Sequence, residues 1–126
     1  MDGIRAYLLD YPKTSLPDAT SFLYWQEATF GLKPTIRISH LTIRDGPEET
    51  IVASKMLYAT HYFRSALELR ALIPDPSRGD GFWLLTVNRS RADGLDGAGV
   101  IRRRVQRQVE ESMTAGLNAI KQRFGG

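Results

Sequence analysis

Six arginines crowd the junction between the last two segments of this chain. Arg89 and Arg91 close a β-like run, and Arg102, Arg103, Arg104 and Arg107 follow in the first turns of a helical one. Guanidinium forks bind phosphate or carboxylate through paired hydrogen bonds, and the first amides of a helix add further donors. Cations at a helix N-terminus also oppose its dipole, at a cost of about 0.3 to 1 kcal/mol each, so an anion is expected to offset them. Asp93, Asp96, Glu110 and Glu111 are the nearest acidic residues in the chain. The cluster reads first as a solvated face with local ion pairs. The second reading is an anion site on Arg89, Arg91, Arg102 and Arg103 for a headgroup, an anionic surface or a partner. Nucleic acid fits poorly, because no aromatics interleave with these arginines and no helix-turn-helix, RNA-recognition or zinc-finger signature is present.

The two histidines, His40 and His61, are too few for a metal site without carboxylate help, and no HExxH-type spacing exists. No metal and no cofactor is expected. His61 sits in YATHYF, among Tyr58, Tyr62 and Phe63, as part of an aromatic corner. It is also the one weak candidate for a general base, although no nucleophile motif such as GxSxG accompanies it. Phe22, Tyr24, Trp25, Phe30, Tyr58, Tyr62, Phe63 and Trp83 make a large aromatic set for 126 residues. Core packing accounts for most of it, and a pocket wall is the residual role. Lys55 lies between Ser54 and Met56 in a β-like run. It points outward, or it turns inward to pair with an acidic ligand or Glu27.

The elements that must position these groups follow from periodicity. Ile4, Tyr7, Leu8 and Tyr11 have helical spacing in a piece too short to stand undocked. Residues 20 to 29, rich in aromatics and Thr, read as a strand. In TIRISHLTIRD the apolar parity switches from Ile36 and Ile38 to Leu41 and Ile43, which suggests an inserted residue near Ser39 or His40. Residues 50 to 59 resume β chemistry after the DGPEE turn. In FRSALELRALIP, alternation of Leu67, Leu69, Ala71 and Ile73 with Glu68 and Arg70 outweighs good helix propensity and predicts a strand. PDPSRGDG turns the chain into a last strand from Phe82 to Arg89. Finally Ile101, Val105, Val109, Met113, Leu117, Ile120 and Phe124 recur in steps of four and three, which predicts an amphipathic helix over 100–124, about 37 Å long. Gly116 on that stripe would admit a strand or ligand close to the helix axis.

Composition agrees with one soluble-type domain spanning 1–126: 42% apolar residues, 25% charged and a net charge of +3. With no cysteine, thiol nucleophiles, thiolate metal sites and disulfides are excluded. No apolar run reaches transmembrane length, and the first residues do not form a signal peptide. The cytoplasm is the default compartment, with export if the chain is an N-terminally truncated piece. Short turns between strands impose antiparallel pairing, because a parallel return needs a crossover the chain does not supply. The expected fold is α+β, an antiparallel meander of about five strands packed on the long C-terminal helix, which is taken to cover the sheet's apolar face.

That order of elements resembles the C-terminal half of START-like helix-grip domains, which bind lipids and other hydrophobic ligands and sometimes act as cyclases or hydrolases. FLYWQEATFGLKPTIRISHLTI, ASKMLYATHYF and TVNRSRADGL are similar to segments of a group of uncharacterised bacterial proteins. The resemblance implies a partial helix-grip domain, lacking the first strand and helices that close the pocket. The expected function is non-catalytic binding of a hydrophobic or lipid-like molecule between sheet and helix, with Tyr24, Lys55, Tyr58, His61, Trp83, Met113 and Gly116 as ligand-facing candidates. The alternative is a structural or protein-interaction domain, or a fragment of a larger protein. An enzyme comes third, and the sequence leaves the oligomeric state open.

Overall fold

The computed structural model describes residues 3–30, 33–92 and 99–125. A short helix α1 (Ile4–Asp10) precedes five strands: β1 (Ala19–Phe30), β2 (Lys33–Asp45), β3 (Thr50–Ala59), β4 (Phe63–Pro74) and β5 (Phe82–Ala92). A long helix α2 (Gly99–Phe124) follows. The strands form one antiparallel sheet in the order β1-β2-β3-β4-β5, as short turns require. Asp93, Asp96 and the side chains of Phe30 and Ile101 lie outside the described residues.

Register assigns each side chain to a face. Leu23, His40, Lys55, Leu67 and Arg89 lie opposite one another in a row across all five strands. Two residues along, Thr42, Ala53, Leu69 and Val87 continue the same face. The compact core forms here, where Ile4, Tyr7 and Leu8 of α1 bury against Ile51 and Ala53, flanked by Tyr11, Leu16, Leu67 and Leu69. Seven residues are too few for a helix to persist alone. Burial of these three side chains, at about 1.5 to 3 kcal/mol each, supplies what helix propensity lacks.

The opposite face carries Tyr24, Ser39, Ser54, Glu68 and Asn88, and α2 crosses this one. Almost three turns into the helix Gln108 Nε2 donates to the Thr29 carbonyl at 3.1 Å, and at its end Phe124 meets Phe82 edge to face with ring centres 5.6 Å apart. These contacts tie opposite corners of the sheet. The sheet-and-helix architecture is as expected, but the apolar face and the long helix are not partners. The densest core belongs to α1, and α2 roofs the more polar side.

The parity switch in β2 also has a different cause from the expected insertion. Pairing with β1 runs unbroken, so β2 alternates regularly, with Ile36 and Ile38 on the α1 face and Leu41 and Ile43 on the α2 face. A register shift does occur between Ile38 and Ser39, but their partners on β3 are Tyr58 and Met56, which leaves Leu57 as the extra residue.

Candidate functional site

Between α2 and the sheet lies a cavity of about 270 Å³ with two unlike walls. The roof is helical and apolar, formed by Val109, Met113, Leu117 and Ile120, spaced to share one side of the helix. Gly116 stands among them with nothing within 4 Å of where a Cβ would be, so it widens the cleft instead of bringing a strand against the axis. The floor is polar: Arg37 from β2, Glu68 and Arg70 from β4, and Thr86, Asn88 and Ser90 from β5. Strand alternation explains the floor, since Glu68 and Arg70 leave Leu67, Leu69 and Ala71 for the core on the other side. A second cavity of about 260 Å³ shares Arg37, Ala66, Glu68, Arg70 and Asn88 with the first and extends the trough towards Tyr24, Ser39, Leu41 and Ser54.

The floor is partly organised. Arg70 pairs with Glu68 at 2.5 Å, and the Arg37 guanidinium lies 6.0 Å from the centre of the Phe63 ring. The Tyr24 and Ser54 hydroxyls share a hydrogen bond of 3.1 Å. Thr86 Oγ1 is buried and has no hydrogen-bond partner, so a polar atom entering the cleft would satisfy it. With Arg70 paired to Glu68, the open Thr86 hydroxyl is the floor group that offers a place for a polar atom of a ligand.

The sequence candidates divide between the faces. Met113 and Gly116 line the cleft, and Tyr24 lines its extension. Lys55 is on the other side, where its ammonium donates to the Leu8 carbonyl at the end of α1. Neither the solvent-facing role nor pairing with Glu27 describes it. A cation near the last carbonyls of a helix is favourably placed. Trp83 is exposed on the α1 face, with Arg78 stacked 4.8 Å from its ring centre. Tyr58 is exposed beside Ile38, beyond the Leu57 bulge. His61 is exposed in the β3–β4 turn, 6.0 Å from the Tyr62 ring, and contributes its carbonyl to the Phe63 amide.

The arginines are also split. Arg89 and Arg91 border a cavity of about 320 Å³ with Leu8, Leu9, Lys55 and Leu67, at the end of α1. Arg102 and Arg103 are exposed on α2, and no acidic residue occupies its first turn.

The histidine with a built environment is His40. Its side chain is fully buried, stacked on Tyr11 at 3.7 Å and 19°, with Nε2 3.3 Å from the Tyr7 hydroxyl. Burial, and then the charge of Lys55, lower its pKa from the ordinary 6.5. The ring is therefore neutral at pH 7 and serves as a packing element under α1. Among the described residues no group of three His, Cys, Asp or Glu is placed to hold a metal, and no helix is long and apolar enough to cross a membrane.

Sequence reasoning missed Arg37, Arg70, Thr86 and Asn88 as one surface. Their signal was present as polar parity in three strands, TIRIS, LELR and TVNRS. Only the register shows that the three polar sides coincide. No family model, characterised protein or solved structure matches the chain.

Proposed function

We propose that the protein is a non-catalytic binding module for a small amphipathic molecule, held between α2 and the sheet. The observation that carries this reading is the opposed character of the two walls: an apolar helical stripe above a floor of Arg37, Arg70, Thr86 and Asn88. A ligand that is apolar on one side satisfies the stripe. An acidic or hydrogen-bonding group on its other side meets the guanidinium groups and the unpartnered Thr86 hydroxyl. The helix-grip resemblance supports the same location for a ligand, and the polar floor narrows the class from hydrophobic to amphipathic.

The test is calorimetric titration with dodecanoate, dodecanol and dodecyltrimethylammonium below their aggregation limits. The expected order is dodecanoate tightest, dodecanol weaker and the cation weakest, each saturating at one site. Arg70→Met should remove the preference for dodecanoate over dodecanol. Absence of saturable binding by all three, in a chain that melts cooperatively, would overturn the reading.

A further inference from the structure

We propose that the cavity at the end of α1 is a binding site for a small organic phosphate, separate from the cleft under α2. This cavity of about 320 Å³ is lined by the cations Lys55, Arg89 and Arg91, and no described carboxylate lines it. Leu8, Leu9 and Leu67 give it an apolar wall. Register explains the grouping. Lys55, Leu67 and Arg89 are successive partners across β3, β4 and β5, so the backbones of the two cations stand roughly 10 Å apart with Leu67 between them. Arg91 rises from the same face, roughly 7 Å along β5 from Arg89. Its partner on β4 is Ser65, whose hydroxyl adds a further donor at the cavity wall.

The helix that borders these cations does not use them up. Lys55 donates to the Leu8 carbonyl, the Tyr7 carbonyl accepts from the Tyr11 amide at 2.9 Å, and the Asp10 carbonyl accepts from the Lys13 amide at 2.8 Å. An ammonium has three donors, so Lys55 keeps two while it holds α1. Arg89 and Arg91 are exposed, and Asp10, the acidic residue of α1, is not among the residues that line the cavity. Guanidinium forks match phosphate oxygens in pairs, and a dianion offsets three positive charges better than a carboxylate does. An inorganic ion would leave the leucine wall uncovered, so the class is a phosphate ester with a short apolar body. Of the arginines expected to form an anion site, Arg89 and Arg91 belong to this one, and Lys55 stands where Arg102 and Arg103 were expected.

Amide NMR titration of the full chain with phenyl phosphate tests this at about pH 7.5, where a phosphate ester is mostly dianionic. The expected result is one saturable set of shifts centred on Ser65, Leu67, Arg89 and Arg91. Inorganic phosphate should bind at least tenfold more weakly, and benzyl alcohol should give no saturable shift. Arg89→Gln with Arg91→Gln, at exposed positions, should keep cooperative melting and lose at least tenfold in affinity for phenyl phosphate. Arg102→Gln with Arg103→Gln should change that affinity less than twofold. Absence of saturable shifts overturns the proposal, including in a chain that instead co-sediments with phosphatidylglycerol vesicles. Equal losses in the two double variants, equal affinity for inorganic phosphate, or shifts centred on Thr86 and Asn88 overturn it as well.

Discussion

The two faces of this sheet use the same backbone for opposite purposes. Under α1 the side chains interlock: Ala53, His40 and Thr42 are fully buried, and Tyr7 reaches 3.3 Å from both Ser21 Oγ and His40 Nε2. Under α2 the side chains border a trough, and among the described side chains of the helix Val105 alone is buried. A seven-residue helix therefore sits over the compact core, whereas a helix nearly four times as long roofs a space. Length does not decide which helix stabilises a fold. The fit between a side-chain stripe and the face it meets does so.

The largest consequence of this asymmetry is energetic. Ile51→Ala, in the α1 core, should lower unfolding free energy by about 2 to 5 kcal/mol in urea titrations. Leu117→Ala, 40% exposed above the trough, should lower it by less than about 1 kcal/mol. Equal losses would erase the distinction between the two faces.

Lys55→Met removes the charged donor to the Leu8 carbonyl and should cost about 1.5 to 3 kcal/mol. It also removes a cation that lowers the His40 pKa, so the His40 titration followed by NMR should move upward in the variant.

A smaller effect comes from pH. His40 titrates below its unfolded value of 6.5, so the folded chain binds fewer protons than the unfolded one in that window. The stabilisation is complete above pH 6.5 and is lost as pH falls towards the depressed folded value. The expected result is a melting temperature that declines from pH 7.5 to 5, with this part of the slope missing in His40→Asn measured against its own value at pH 7.5. The opposite slope would place a charged His40 in the native state.

Much of this fold was legible from local pattern. The steps of four and three from Val105 to Phe124 mark α2, and the alternation of Leu67, Leu69 and Ala71 with Glu68 and Arg70 marks β4 as a strand against its helix propensity. Alternation says that two residues point to opposite sides, but it does not say which side another segment will cover. For that reason length alone points to α2 as the cover of the apolar face, whereas Ile4, Tyr7 and Leu8 of α1 are the side chains that bury against Ile51 and Ala53 there. Within the candidate site, Met113 and Gly116 were recoverable because they lie on the helical stripe. Tyr24 was recoverable because it sits among aromatics in β1. Lys55 and Trp83 fell on the far side because their parity opposes that of Ser54 and Leu84. The quiet role of His40 depends on Tyr7 and Tyr11, which lie about thirty residues away in sequence.

The central claim, that the space under α2 is the binding surface, is most directly tested by mapping dodecanoate onto the chain with methyl and amide NMR. The account predicts saturable shifts concentrated on Val109, Met113, Leu117 and Ile120 above and Thr86 and Asn88 below. Shifts centred on Trp83, Leu85 and Val87, with the cleft residues unmoved, would contradict it.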